Sequence, residues 1–211
     1  MIDYAHVNHT PQFEARVRES VQSAIATMEL LRDDNSFHSV VSRIALSLIH
    51  AFRQGNKVLL FGNGGSASDA HHIATELVGR FAFDRPALPA LSLAESLSSV
   101  TAISNDHGFE QVFSRQIEAL GRTGDVVIAI STSGTSPNIL HGVATANKAG
   151  LLTVGLTGRT GGKLRSLVRE CICVPSDDTP RIQECHTLIG HILSQIVERE
   201  LFGQKSTASQ P

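Results

Sequence analysis

His72 and Glu76 stand four residues apart in a stretch whose apolar residues recur at helical spacing. An imidazole and a carboxylate therefore leave the same side of one helix. In that register they can chelate a divalent metal or set a base beside an acid. A bare HxxxE is more often an exposed helical hydrogen bond, and His71 is the ordinary surface histidine beside it. Placement adds weight, because this helix follows directly on a strand and a glycine turn, Gly62-Asn63-Gly64-Gly65-Ser66, whose mouth suits an anion. A second polar set lies near the C-terminus: Arg181, Gln183, Glu184, His186 and His191. Gln183 and His191 are eight residues apart, about 12 Å along a straight helix. Spacing makes Gln183 with His186 the easier pair and leaves the partner of His72 and Glu76 open.

A second loop, Ser131-Thr132-Ser133-Gly134-Thr135-Ser136-Pro137, brings hydroxyls to the start of another helix. Free backbone N–H groups and the positive end of the helix dipole favour a phosphate there. Capping explains one serine or threonine at a helix start and leaves the others to explain. Neither loop is a nucleotide motif. Gly-x-x-x-x-Gly-Lys-Ser/Thr is absent, and Gly62-Asn63-Gly64-Gly65-Ser66-Ala67 has alanine where GxGxxG needs its last glycine. With no lysine in either loop, a monophosphate ester fits better than a triphosphate.

The chain that must position these residues has 211 of them, 41% hydrophobic and 18% charged, a globular composition long enough for a sizeable core. A net charge of −2 gives no footprint for nucleic acid or an anionic membrane. No apolar run approaches the roughly 18 residues of a membrane span, and the first residues lack a signal peptide's pattern; a cytoplasmic location is expected. Cys171, Cys173 and Cys185 form no disulfide framework, and the first two read as one face of a strand. Periodicity predicts helices over 11–32, 37–54, 66–81, 96–104, 109–120, 137–148, 162–167 and 182–201. It predicts strands over 57–61, 88–93, 126–130, 151–157 and 171–175, with Pro89 pushing the second towards an edge or itself towards an early position, and a turn at 105–108. The broadly apolar face of the second helix needs cover from the sheet or from another subunit. Alternation of strand and helix predicts an α/β fold, a five-stranded parallel sheet flanked by helices with extra N-terminal helices outside. Ligands in such a sheet sit beyond the carboxyl ends of the strands.

Taken in order, Gly62-Asn63-Gly64-Gly65-Ser66, Asp69-Ala70, His72, Glu76, Gly79-Arg80-Phe81, Asn105-Asp106, Ile130-Ser131-Thr132-Ser133-Gly134 and Arg181-Ile182-Gln183-Glu184 with His191 resemble the bacterial phosphoheptose isomerases of the sugar isomerase (SIS) domain family. The resemblance runs over residues 11–201. It implies a flavodoxin-like three-layer sandwich forming one domain over residues 1–202, with the N-terminal helices at a subunit interface. Residues 203–211 are expected to be a disordered tail. It implies isomerisation of sedoheptulose 7-phosphate to D-glycero-D-manno-heptose 7-phosphate, a first step towards activated heptose for lipopolysaccharide or other surface glycans. It further implies a homotetramer with active sites at subunit contacts and one Zn2+ per subunit held by His72, Glu76, Gln183 and His191. Glu76 and His191 resemble the acid/base pair, and the substrate contacts carried over are Asn63, Gly64, Gly65, Ser66, Asn105, Asp106, Ser131, Thr132, Ser133, Ser136 and Gln183. The resemblance thus selects His191 where spacing favours His186. Ala67 and Ser68 depart from the His-Cys pair of some members, and Pro180 stands where some have an acidic residue. Two rival readings are an SIS relative that acts by contact with the DnaA initiator and an isomerase of another phosphosugar.

Overall fold

The computed structural model describes residues 11–203; residues 204–211 of the expected tail lie outside them. Five parallel strands, β1 (Val58–Gly62), β2 (Ala90–Ser92), β3 (Val126–Ser131), β4 (Leu152–Thr157) and β5 (Glu170–Cys173), form one sheet in the order β2-β1-β3-β4-β5. The register sets Gly62 beside Ile130 and Ser131 beside Thr157, so the strand ends that lead into the two polar loops are neighbours. β1 and β3 are buried along their whole length, as continuous apolar runs in a doubly covered parallel sheet must be. Alternation across the pleat divides their side chains. Val58, Leu60, Ile128 and Ile130 face one helical layer; Leu59, Phe61, Val127 and Ala129 face the other.

The first layer holds α2 (Asn35–Arg53), α3 (Gly65–Val78) and α8 (Thr179–Phe202). The second holds α4 (Leu97–His107), α5 (Val112–Leu120), α6 (Pro137–Lys148) and the single-turn α7 (Leu164–Leu167). The apolar face of α2, from Val41 through Phe52, is covered within the chain, by the sheet and α8. The long N-terminal helix α1 (Pro11–Arg32) differs. Only Thr27 and Leu31 are buried on it, while Phe13, Val17, Val21 and Ile25 are about half exposed or more.

Several helix boundaries depart from expectation, some for local reasons and one for a tertiary reason. α4 continues through Asn105, Asp106 and His107, where a turn was expected, and stops at Gly108. The two polar side chains meet each other, Asn105 Nδ2 donating to Asp106 Oδ1 at 2.8 Å, and leave the backbone helical. The helix expected over 109–120 begins with a 3-10 turn at Phe109–Gln111, and Phe109 is exposed. α8 starts three residues early, with Asp178 at its N-cap and Pro180 in its first turn, where a missing N–H costs nothing.

α3 ends three residues before the sequence suggests because α8 captures the chain that follows. Glu198, fully buried, accepts from Phe81 N at 2.8 Å, Ala82 N at 2.7 Å and Arg85 Nε at 3.1 Å. The Arg85 guanidinium also donates to the carbonyls of Glu76 and Leu77, the last turn of α3. Burial alone would raise the Glu198 carboxyl; the two backbone donors and Arg85 outweigh it and hold the group below the ordinary carboxylate range. Its contribution is therefore complete above the unfolded carboxylate pKa and disappears as pH falls through the folded value. Replacing Glu198 by Ala leaves Arg85 buried without a counter-ion and should cost about 3–5 kcal/mol. Urea denaturation at neutral pH measures that cost, and the gap between variant and parent should narrow in acid.

Candidate active site

The sheet order places a topological switch between β1 and β3, since α3 leaves to one layer and α6 to the other. That is where an open α/β sheet has its ligand crevice. The two loops are tied across it by a reciprocal amide pair. Asn63 Nδ2 donates to Asn138 Oδ1 at 2.9 Å, and Asn138 Nδ2 donates to Asn63 Oδ1 at 2.9 Å. Asn138, almost fully buried in the first turn of α6, had no signal in spacing or motif.

In the serine loop the hydroxyls divide by role. Ser131, at the end of β3, is buried and accepts from Gly134 N at 3.2 Å, which folds the loop back on the strand. Gly134 has φ 64°, and a Cβ on it would run into the Gly161 carbonyl. Ser136 takes the N-cap position of α6, yet its side chain makes no cap hydrogen bond; it lies 3.5 Å from Ser131 Oγ and keeps capacity for a ligand. Thr132 and Ser133 open onto a cleft of about 350 Å³ that also has Arg159 on its wall, a cation outside both loops that the motifs did not reveal.

The glycine loop supplies close approach. Gly65 opens α3 directly under the Gln183 side chain, so a Cβ there would overlap the amide. Ser66 is buried in the first turn, packed against Gly62. From Gly65 onward α3 runs beside α8 in the same direction. Gly65 faces Gln183, Asp69 Oδ1 accepts from Thr187 Oγ1 at 2.8 Å, and Ile73 occupies the space a side chain at Gly190 would need. Burial raises the Asp69 carboxyl, against the opposing pull of the Thr187 hydroxyl and His72.

One position beyond Gly190, His191 meets His72. Their Nε2 atoms are 2.8 Å apart across 119 residues of sequence, and Glu76 Oε1 lies 3.6 Å from the same His72 nitrogen. His72, Glu76 and His191 each offer a donor atom, all within 4.8 Å of one another and partly open to solvent. This group can hold a metal ion. Phe81 closes one side, its ring centroid 5.7 Å from that of His191. The Gln183 side chain lies against Gly65, at the start of the same helix that carries His72 and Glu76.

The structure decides between the two histidines of α8. His186 is fully buried, with Nε2 3.4 Å from the Thr157 carbonyl, and burial lowers its pKa to about 4. It is a neutral core residue facing the sheet, so the Gln183–His186 pair favoured by spacing is not formed as a site. Asn105 and Asp106 are exposed on α4, and their side chains hydrogen-bond only to each other among the described residues. His71 is exposed beside Glu95, and Ala67 and Ser68 share its surface cleft, while Pro180 belongs to the start of α8.

This sheet order, with hydroxyl and glycine loops meeting at the switch point, is the architecture of a sugar isomerase domain, and residues 21–158 match the SIS domain family. The phosphoheptose isomerase of Aneurinibacillus thermoaerophilus is 48% identical over 189 residues, covering 90% of this chain and 96% of the relative. Among solved structures, the phosphoheptose isomerase of Neisseria gonorrhoeae superposes with a TM-score of 0.83 at 35% identity, over 88% of this chain and 98% of that one. That of Francisella tularensis superposes at 0.84 with 34% identity, over 88% and 97%. The chain belongs to the phosphoheptose isomerase family of SIS-domain proteins.

Gly65 offers a direct test of the Gln183 placement. Gly65→Ala should keep the fold, because the obstructing group is the end of a flexible side chain. It should displace Gln183 and lower isomerase kcat/KM by about tenfold or more, the scale of a lost charge- or dipole-stabilising contact. Thermal melting beside steady-state kinetics separates the two effects.

Proposed function

We propose that the protein interconverts sedoheptulose 7-phosphate and D-glycero-D-manno-heptose 7-phosphate, feeding activated heptose into lipopolysaccharide or another surface glycan. The observation that carries this reading is the convergence of His72, Glu76 and His191 beside the switch-point loops, in a chain 48% identical to a phosphoheptose isomerase. An initiator-binding relative has no need of that convergence, and the family name favours the seven-carbon sugar over other phosphosugars.

An aldose–ketose interconversion moves a proton between adjacent carbons through a cis-enediolate. In the proposed scheme Ser131, Thr132, Ser133 and Ser136 hold the phosphate, and that remote binding orients the reacting end of the sugar. Asn63, Gly64, Gly65, Ser66 and Gln183 line the approach to C1 and C2. The Glu76 carboxylate takes the carbon-bound proton and returns it to the neighbouring carbon. His191 carries the oxygen-bound proton between the two hydroxyl positions. Two imidazoles and one carboxylate are the His2Glu donor set of catalytic zinc centres, so one Zn2+ per subunit fits these residues, with Gln183 as the fourth expected ligand. Bound there, the ion would supply Lewis-acid polarisation of the substrate oxygens. A tightly held ligand is not a free base, so Glu76 would have to be labile there or bound through one oxygen.

The same proposal includes a homotetramer of single-domain subunits, each one domain through residue 202. Two features support it. The row Phe13, Val17, Val21 and Ile25 lies uncovered along α1, too regular a stripe to leave in water. Asn105 and Asp106, expected at the substrate, are exposed and hydrogen-bond only to each other among the described residues, so their polar groups are free to meet a substrate at a subunit contact. No helix among the described residues is long and apolar enough to cross a membrane, which is consistent with the cytoplasmic location proposed.

Glu76→Gln keeps the shape of the side chain and removes its basicity; kcat should fall by about a hundredfold or more with little change in melting temperature. Turnover of sedoheptulose 7-phosphate close to the parent's would refute the base assignment. Dialysis against a chelator should lower both activity and melting temperature, and added zinc should restore them. If neither moves, the three residues do not hold a metal.

A further inference from the structure

Two of the three cysteines are placed for chemistry that the isomerase site does not use. Cys185 is buried on α8, and its burial pushes the thiol up to about 11, an inert position. Cys171 and Cys173 lie on β5, the outer strand at one edge of the sheet. Two residues apart, they leave the same face of the strand, while Ile172 between them enters the core. Both are half-buried, and their Sγ atoms are 3.9 Å apart. Each sulfur rests near a glycine, Cys171 beside Gly155 and Cys173 beside Gly161, so no side chain separates them from one another. They open onto a cleft of about 380 Å³ whose wall includes Phe37, Val40, Arg165 and, engaged with Ser36, Asp34.

A purely structural pair in a strand would be served better by two β-branched residues. A metal site would need more ligands, and among the described residues no third His, Cys, Asp or Glu completes one here. The nearby cation is Arg165, which repels a metal and favours a thiolate. The hydrogen bond from the Cys171 thiol, followed by the charge of Arg165, lowers Cys173 to about 7 against the effect of burial. Giving that bond, and then burial, raise Cys171. One sulfur is thus nucleophilic, and the other stays a thiol in contact with it, the usual arrangement of an attacking and a resolving cysteine.

We propose that Cys171 and Cys173 form a reversible dithiol–disulfide pair that exchanges with low-molecular-weight disulfides entering the cleft beside Arg165. The Cys173 thiolate attacks one sulfur of the small disulfide, whose S–S bond breaks and releases one thiolate. Cys171 then gives its proton to solvent or to that thiolate and attacks Cys173 Sγ, which expels the second small thiol. Two electrons pass from the protein to the small disulfide, which leaves as two thiols. The sulfurs must close from 3.9 Å to about 2.05 Å, and Cα atoms two apart in a strand, about 6.6 Å, sit at the long end of the disulfide range. β5 must therefore draw in, which it can do because only one of its edges is paired, to β4. A bridge formed under such strain is easily reduced.

The test exposes reduced full-length protein, Cys171→Ser and Cys173→Ser to oxidised glutathione, followed by intact mass and peptide mapping. The parent should lose two hydrogens, retain no glutathione and carry a Cys171–Cys173 bridge that mild dithiothreitol reopens. Cys171→Ser should accumulate glutathione on Cys173, and Cys173→Ser should react at least about threefold more slowly, the difference left when a larger thiolate fraction is offset by lower nucleophilicity. Both variants should keep sugar-phosphate turnover, which shows that they fold. A parent that stays reduced, a mixed disulfide that Cys171 never resolves, equal rates in the two variants, or a bridge to Cys185 would each overturn the proposal.

Discussion

The site depends on one packing contact, the parallel seating of α3 against α8. The two helices follow different strands and are far apart in sequence, yet they lie side by side over three turns. Gly65 makes room for Gln183, Gly190 makes room for Ile73, and Asp69 and Thr187 join hydroxyl to carboxylate between them. Small residues at those points let the backbones approach closely enough for His72 and His191 to meet. A wider crossing would leave two unrelated surface histidines. The cluster of His72, Glu76 and His191 is a property of the helix pair and belongs to neither helix alone.

A buried ion pair locks the far end of that contact. Glu198 and Arg85 are both almost entirely removed from solvent, a costly arrangement unless every polar atom finds a partner. Here the carboxylate takes two backbone N–H groups as well as the guanidinium, and the guanidinium returns to the carbonyls of Glu76 and Leu77. Glu76, the proposed base, thus has its own backbone held by the pair. At the near end the Asn63–Asn138 amides do the corresponding work between the loops. Both devices replace flexible surface contacts with satisfied buried ones, which suits a site that must hold its geometry through a proton transfer.

Much of this was legible in the chain. β1 and β3 are continuous apolar runs and fold as doubly covered strands; Pro89 marks β2 as an edge; the glycine and serine loops announce themselves by composition. Helix ends were less legible where their causes lie elsewhere. α3 stops at Val78, and just beyond it Glu198 takes the N–H groups of Phe81 and Ala82; nothing in the charged stretch around Glu198 distinguishes it from a solvated face. Asn138 gave no signal for the same reason, since its role depends on the Asn63 amide that packs opposite it.

The sequence by itself determined the class of fold, the two loops and the candidate pair His72 and Glu76, because these follow from local periodicity and from residue types within one helical turn. Only the tertiary structure decided which histidine of α8 joins them. His186 and His191 are five residues apart, and on a helix that rotates one towards the sheet and the other towards α3. Periodicity describes the rotation, but which face meets which neighbour is set by the packing of α8 against α3 and the sheet.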